Sequence, residues 1–320
     1  MLFVVRNYGQ HYFYIVLTMA TSIELYTDFY ADCAHPDLYA APWWLDAVCG
    51  EGRWEAIQLV TKRDQTTAFI PFYKTHIRRL SALITPALTQ WIPIVAKEDS
   101  HDFSIDDFLE TLPPCSILDL TMKPGKNPIL SSPAYHVNFK YSYVIPYRGL
   151  NDQLKLNYNE GLRRNLREAE KNYSIVASDD IQTFVHLCKS SYRNRKLKPP
   201  FWLDQIVPAA VGALKKNGSG VINLAFHHGA VIAGILTGWD TRTTYYLTGG
   251  RNGDEQGASA HALLLDHVIN QAHGRGHSFD FEGSMHPGIA NFFQSFGATP
   301  EPYLQIRKFS GMGRIWSFFH

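Results

Sequence analysis

Residues 248–264, "TGGRNGDEQGASAHALL", join a segment rich in β-branched and aromatic residues to a segment with helical periodicity. Leu263, Leu264, Val268 and Ala272 recur at three- and four-residue spacing, which predicts the apolar face of a helix. Glycines and polar residues fill the connection between the two elements. Such a connection is either a plain turn or a loop whose backbone N–H groups are held available for a ligand.

The elements on either side of this loop predict a mixed sheet. Three strand-like runs precede it, and a tight turn at His228–Gly229 joins the first two. After the helix, "SFDFEGS" at 278–284 predicts a strand that pairs parallel to "TTYYLTGG" at 243–250 by a right-handed crossover. In such a sheet a ligand lies beside the carboxyl ends of the parallel strands, next to the N-terminus of the helix.

The remainder of the chain predicts helices and strands of the same mixed kind. Residues 37–50 predict a helix, and strands are expected at 54–62, 66–74, 116–122 and 136–147. The segment "PPFWLDQIVPAAVGALKKNG" at 199–218 predicts a helix that Pro208 either interrupts or begins. The predicted fold class is α/β with mixed α+β sheets. We expect an N-terminal extension (1–18) without a targeting role, a first domain (19–148) and a second domain (149–320).

Composition and charge are those of a globular protein without a general affinity for polyanions. Of the 320 residues, 45% are hydrophobic and 18% are charged, which is enough for a full core. The formal net charge is +1, so no DNA partner is expected and any anion binding must be local. The apolar run Tyr12–Leu17 is too short to span a bilayer, so no membrane insertion is expected.

Cysteine and histidine spacing argue against a metal site. The four cysteines are scattered without a C-x-x-C pair, which favours a reducing, cytoplasmic location. His273 and His277 are four residues apart, but Gly274 and Gly276 disfavour the helix that such a ligand pair needs. No metal is predicted.

Three stretches carry a resemblance to a known family. They are "PDLYAAPWWLDAV" at 36–48, "LRRNLREAEKN" at 162–172 and the strand–loop–helix–strand run at 245–284, in which Asp280-Phe281-Glu282-Gly283 stands where the family has Asp-Phe-Gly-Gly. The order of elements resembles the second half of a GNAT-type N-acyltransferase domain, and the first half resembles a degenerate copy. Two such domains in tandem are the architecture of the FemAB-like acyl and aminoacyl transferases. The likeness spans nearly the whole chain after Met19.

The resemblance implies an N-acyltransferase that moves an acetyl or aminoacyl group from acyl-CoA or aminoacyl-tRNA to an amine. The acceptor would be a small molecule or of the cell-wall-precursor type. Members that use acyl-CoA usually carry Gln/Arg-x-x-Gly-x-Gly/Ala at the junction of loop and helix, whereas Gln256-Gly257-Ala258-Ser259-Ala260 is out of register here. The choice between coenzyme A and tRNA therefore stays open. The alternative function is a non-catalytic binding module that retains the fold.

The start of the helix at 257–260 is the predicted donor site. Gly257, Ala258, Ser259 and Ala260 are expected to form the first turn, whose unpaired N–H groups favour a phosphate or carboxylate. Arg251, just upstream, would add a charged donor. The plain alternative is a tight turn followed by a helix cap at Ser259.

Two carboxylates and a tyrosine are the predicted catalytic groups. Asp280 and Glu282 are two apart in a predicted strand and should share a face, so either is a candidate base for the amine. Alternatively, Asp280 caps a turn or pairs with an arginine and Glu282 is solvated. Tyr246 alternates with Tyr245 and is a candidate proton donor to a leaving thiolate or ribose hydroxyl, unless it only packs.

A basic stripe is the predicted binding surface for an acidic substrate. Arg163 and Arg167 recur at four-residue spacing with Lys171. Glu160 lies four residues before Arg164 and would form a helical ion pair with it. A solvated helix face explains the same pattern.

Overall fold

The structure is a computed structural model that describes two compact units. The described residues are 2–8, 11–17, 23–60, 67–96, 105–123, 134–149, 153–253 and 255–311. Unit 1 comprises Met1–Lys140 and Pro302–His320, and unit 2 comprises Tyr141–Glu301. The C-terminal residues thus group with the first unit, whereas the sequence placed them in the second domain. The domain ranges expected from the sequence stay a prediction.

Helices and strands alternate through both units. The strands are β1 (Leu2–Tyr8), β2 (His11–Leu17), β3 (Trp54–Val60), β4 (Thr67–Ile77), β5 (Leu80–Ile84), β6 (Val95–Ala96), β7 (Ile117–Met122), β8 (His136–Ile145), β9 (Ser174–Ser178), β10 (Gly220–His227), β11 (Ala230–Trp239), β12 (Thr243–Arg251), β13 (Ser278–Asp280) and β14 (Thr299–Phe309). The helices are α1 (Ile23–Ala31), α2 (Pro42–Cys49), α3 (Ile105–Thr111), α4 (Glu160–Asn172), α5 (Ile181–Asn194), α6 (Trp202–Lys216), α7 (Glu255–Gly274) and α8 (Pro287–Gln294).

Unit 1 is built on a mixed sheet. Antiparallel β3, β4 and β5 are followed by β7, which pairs parallel to β5, and by β14, which pairs antiparallel to β7. β1 and β2 form a separate antiparallel hairpin. The helix predicted at 37–50 is a 3₁₀ turn followed by α2, which Pro42 begins and Gly50, at φ 90°, ends. β5 was not predicted from the sequence. The turn before it is made by Arg78 and Arg79 in left-handed conformations (φ 48° and 71°), so the glycine that usually marks such a turn is missing.

Unit 2 has the meander predicted from the sequence. β9 to β12 pair antiparallel in chain order, β12 pairs parallel to β13, and β13 pairs antiparallel to β8. The predicted turn at His228–Gly229 is present, and Gly229 has a positive φ of 82° in it. Asp180 accepts a hydrogen bond from the N–H of Thr183 at 3.0 Å. This hydrogen bond caps the start of α5.

Helices α5 and α7 cover opposite faces of this sheet. Ala233 and Ile235 belong to the core cluster that contains Leu264 and Val268 of α7. Between them, a Cβ at Gly234 would lie 3.0 Å from the ring of Phe184 in α5. Because neighbouring strand residues point to opposite faces, the sheet is buried on both sides. The predicted apolar face of α7, from Leu263 to Ala272, is buried as expected.

The prediction that Pro208 interrupts or begins its helix is wrong. α6 runs from Trp202 to Lys216 with Pro208 inside it. Its buried face includes Leu203 and Val207 before the proline and Ala210 and Leu214 after it. Burial of one continuous apolar face on both sides of the proline outweighs the hydrogen bond that the proline removes.

Gly250 allows α5 to approach β12, and its substitution should destabilise unit 2. A Cβ at this position would overlap the backbone of Leu187 and Cys188. We expect Gly250→Ala to lower the free energy of unfolding by about 1–3 kcal/mol, the usual cost of overpacking. Urea denaturation measures it. The control is Gly212→Ala on the exposed side of α6, where no atom lies within 4 Å of the added Cβ. The control should gain stability, and equal losses in both variants would contradict the close approach.

Candidate active site

The site begins where the two parallel strands of unit 2 part. β12 and β13 pair through three residue pairs, the last being Tyr245 with Asp280. Beyond them β12 continues to Arg251, whereas β13 ends. A β-bulge changes the register of β12 against β11, with Leu247 as the extra residue between Tyr246 and Thr248. In the part of the chain that the structure describes, the carboxyl end of β12 therefore has no strand beside it on the β13 side.

A cleft of about 550 Å³ opens at this place. Its walls come from the end of α5, the end of β12 and the loop after it, the first turns of α7, and α8 with the residue before it. The lining residues are Ser191, Asn194, Arg195, Tyr246, Gly249, Gly250, Arg251, Asn252, Gly253, Ala258, His261, His286, Gly288, Ile289, Phe292 and Phe293. The charged groups among these described residues are arginines, and none of them is a carboxylate. An anionic ligand therefore suits it.

Tyr246 and His261 form a neutral pair in the wall of the cleft. The hydroxyl oxygen of Tyr246 lies 3.4 Å from Nε2 of His261. Burial, and then the charge of Arg251, lower the pKa of His261 to about 4. Burial, and then the neighbouring Cys188 and Glu282, raise the pKa of Tyr246. At neutral pH the imidazole is therefore uncharged and the phenol keeps its proton.

Gly249 makes room for this pair. A Cβ there would lie 2.6 Å from the hydroxyl of Tyr246 and 2.9 Å from Cε1 of His261. Nδ1 of His261 is buried and has no hydrogen-bond partner among the described residues. A side chain at position 249 would displace both rings. Gly249 therefore leaves space for the rings of the site, and Gly250 leaves space for the backbone of α5.

The predicted donor site lies partly in the cleft. Arg251 and Ala258 line it, whereas Gly257 and Ala260 are buried and Ser259 is half-buried. α7 begins at Glu255, two residues before the predicted first turn. The N–H groups of Ser259 and Ala260 thus have helical carbonyl partners, and the first turn of the helix begins at Glu255. The expectation that residues 257–260 form the first turn is corrected accordingly.

The predicted carboxylates do not share a strand face. β13 ends at Asp280, and Glu282 follows in a left-handed conformation (φ 56°), so strand alternation does not relate the two side chains. Asp280 is buried and accepts hydrogen bonds from the hydroxyl of Ser142 and, at 2.8 Å, from the N–H of Glu282. It caps the turn, which is the plain alternative for this residue. Glu282 is half-buried and its charge contributes to the raised pKa of Tyr246.

The two tyrosines of β12 separate as the alternation suggests. Tyr245 is buried, and its hydroxyl donates a hydrogen bond to Asp240 at 2.8 Å, while Tyr246 lines the cleft. Arg163 and Arg167 lie on α4, whose buried face is formed by Leu162 and Leu166. Neither arginine lines the cleft.

Several residues that line the cleft were not predicted from the sequence. His261 lies three residues after Ala258, so helical periodicity places both on one side of α7 and could have found it. Arg195 and Asn194 at the end of α5, and Phe292 and Phe293 in α8, carry no such signal. They reach the cleft only through the packing of elements that are far apart in the chain.

Within the described residues no group of three or more histidine, cysteine or carboxylate side chains is arranged to hold a metal ion. In the same part of the chain, every helix is too short or too polar to cross a bilayer.

Sequence comparison places this cleft in a known family. Residues 157–292 match the family model described as an acetyltransferase (GNAT) domain. Residues 157–292 are a GNAT domain. The match covers α4 to α8 almost completely and contains the described residues that line the cleft except Phe293, which follows its last residue. No curated protein sequence matches the chain.

Solved structures share the fold of the whole chain at low identity. FemX is 13% identical with a TM-score of 0.63, over 90% of this chain and 96% of FemX. L-PGS from Bacillus licheniformis is 12% identical with a TM-score of 0.53, over 88% and 90% of the two chains. The C-terminal domain of a putative lysylphosphatidylglycerol synthetase from Agrobacterium fabrum is 12% identical with a TM-score of 0.53, over 89% and 92%. The GNAT recognition is confirmed for residues 157–292, and the likeness to these structures confirms the two-domain α/β fold.

His261 should make the stability of the GNAT domain sensitive to acid. Its pKa is 6.5 ordinarily and about 4 in the fold, so the unfolded chain binds its proton first as the pH falls. Stability from this group is therefore present above pH 6.5 and is lost as the pH falls to about 4, by up to about 3 kcal/mol. We expect His261→Gln to lose less stability over this interval than the wild type, measured by urea denaturation at each pH.

The control for this measurement is His186→Gln, at an exposed position of α5. It should follow the wild-type pH dependence. If His261→Gln also follows the wild type, the imidazole is not held neutral in the fold.

Proposed function

We propose that the GNAT domain is an N-acyltransferase, which transfers an acetyl or aminoacyl group from acyl-CoA or aminoacyl-tRNA to an amine acceptor. The observation that carries the proposal is the open cleft at the parted strands, where polar groups from four elements converge beside the start of α7. The rival function, a binding module without catalysis, predicts a filled or flat surface at this position. A cleft of about 550 Å³ supports the enzyme.

The donor end of the cleft is proposed to lie at Arg251, Asn252, Gly253 and Ala258. The positive end of the α7 dipole favours the phosphates of an acyl donor. Arg251 adds a guanidinium, and the small Gly253 and Ala258 leave space for the ligand. These residues fit a phosphate-bearing donor, so they fit coenzyme A and the 3′ end of tRNA alike. The donor supplies the activated acyl group.

The chemistry requires two proton transfers. The attacking amine must lose a proton. Glu282 does not line the cleft, so its carboxylate would take this proton through an intervening water. The leaving sulfur or ribose oxygen must gain one, which we assign to Tyr246, since its raised pKa keeps the phenol protonated at neutral pH. His261, 3.4 Å away, holds the hydroxyl in place as a neutral partner. Exchange with water then restores the protonation of Glu282 and Tyr246. Asp280 is assigned a supporting role, because it is buried and caps the turn that carries Glu282.

The acceptor is proposed to enter on the side of Arg195, His286 and the α8 aromatic residues. Phe292, Phe293 and Ile289 offer an apolar wall, and Arg195 offers a positive charge. An amine compound that also carries an acidic group fits this end best. Two similar structures, L-PGS and the C-terminal domain of a putative lysylphosphatidylglycerol synthetase, are in keeping with an amino-acid donor and an anionic acceptor. A cytoplasmic small molecule or a cell-wall precursor meets the same description.

A thermal-shift titration with coenzyme A and acetyl-CoA tests the donor. Ligand that binds the folded state at a hundredfold excess over Kd stabilises it by about 2.7 kcal/mol, which raises the melting temperature by several degrees. We expect a dose-dependent rise for the wild type. We expect none for Ala258→Trp, because Ala258 is exposed at the cleft and the indole would fill the donor end without disturbing the core.

The matched control is Ala209→Trp on the exposed side of α6, which does not line the cleft. It should respond as the wild type does. Absence of a shift in the wild type would contradict coenzyme A as donor. Binding of aminoacyl-tRNA, blocked in Ala258→Trp but not in Ala209→Trp, would then identify the other donor, and failure of both ligands would contradict the enzyme.

A further inference from the structure

A basic and apolar loop borders the mouth of the cleft. Residues 195–201, "RKLKPPF", connect α5 to α6. Leu197 is 52% exposed and Phe201 is 69% exposed. Ser191, Asn194 and Arg195, immediately before these residues, line the cleft. Two large apolar side chains thus stand in water next to the opening.

The opposite border of the mouth carries a third apolar side chain. Met285 is 57% exposed and precedes His286, which lines the cleft together with Gly288. Ordinary surfaces show scattered exposed apolar residues. Here Leu197 lies two residues after Arg195, Met285 lies next to His286, and Phe201 ends the loop that begins at Arg195, which makes the three a candidate contact surface.

The loop is also strongly cationic. Arg193, Arg195, Lys196 and Lys198 are exposed, and none of them forms an ion pair with a carboxylate of the described residues. The sequence between Asp180 and Asp204 contains no acidic residue. Of the basic residues in this interval, Lys189 is paired, with Asp204. The local charge is therefore positive although the whole chain is nearly neutral.

The backbone holds these side chains outward. The N–H groups of Arg195 and Leu197 both donate to the carbonyl of Tyr192, at 3.1 and 2.9 Å, and Lys196 has a left-handed φ of 58°. Pro199 and Pro200 follow and restrict the chain further. Leu197 is therefore exposed at the end of a hydrogen-bonded turn, and Phe201 is exposed where the proline pair leads into α6.

We propose that this loop docks the mouth of the cleft onto an anionic lipid surface. Basic side chains interleaved with exposed apolar ones match the boundary between charged headgroups and acyl chains. The apolar groups are mainly aliphatic, with Phe201 the one aromatic ring among the three, so they suit acyl chains better than stacked nucleotide bases. Docking would bring acceptors in the headgroup layer to the cleft, and this last consequence rests on the proposed acyltransfer. The docking itself does not.

Vesicle sedimentation with the full chain tests the docking. Phosphatidylcholine vesicles that contain phosphatidylglycerol should bind the protein, pure phosphatidylcholine vesicles should bind it far less, and added salt should weaken the binding. Arg193→Gln/Lys196→Gln/Lys198→Gln should bind about a hundredfold more weakly, at roughly fivefold for each charge removed. Leu197→Ser/Phe201→Ser should also lose at least about tenfold of the binding.

Matched controls lie elsewhere on unit 2. Leu156→Ser/Val176→Ser removes two exposed apolar side chains, and Lys215→Gln/Lys216→Gln removes exposed charges of α6. Both controls should bind vesicles as the wild type does. Equal losses in controls and loop variants, or equal binding to both kinds of vesicle, would overturn the proposal. Binding of tRNA through the loop without binding of vesicles would overturn it in favour of a nucleic-acid partner.

The two proposals fail separately. Melting temperatures and the coenzyme A titration of the loop variants report on the fold and the donor end, neither of which the loop substitutions touch. Vesicle binding without any donor binding would leave the docking in place and remove the acyltransferase. Donor binding without vesicle binding would support the acyltransferase and contradict the docking.

Discussion

The short parallel pairing of β12 with β13 is the constraint on which the site depends. The pairing ends at Tyr245 and Asp280, and beyond it β12 runs on without that neighbour. Asp280 fixes the position at which β13 ends, because its buried carboxylate accepts hydrogen bonds from the hydroxyl of Ser142 and from the N–H of Glu282. The cleft, the start of α7 and the pair of Tyr246 and His261 all lie where the sheet opens.

Space and charge at this opening are set by adjacent residues. Gly250 admits the backbone of α5, and Gly249 admits the rings of Tyr246 and His261. Both rings are neutral at physiological pH, since burial raises one pKa and lowers the other. The cationic groups of the cleft are Arg195 and Arg251, so its charge favours anionic ligands although the net charge of the chain is +1.

Local patterns predicted the elements well where local signals determine them. The spacing of apolar residues predicted the buried face of α7, and the glycine at 229 predicted the hairpin turn. Predictions were wrong where packing outweighs a local signal. Pro208 stays inside α6 because apolar residues on both sides of it are buried, and Glu282 leaves the strand because Asp280 caps a turn there.

The sequence by itself determined the family, the mixed α/β order of elements, and Tyr246, Arg251 and Ala258 as residues of the cleft. These follow from periodicity, turn residues and motifs that lie within one continuous stretch of chain. The tertiary structure decided that Arg163 and Arg167 lie outside the cleft and that Arg195, Phe292 and Phe293 line it. The physical reason is that α5, β12 and α8 meet only because their apolar faces pack on the two sides of one sheet. No local pattern in the chain encodes that meeting.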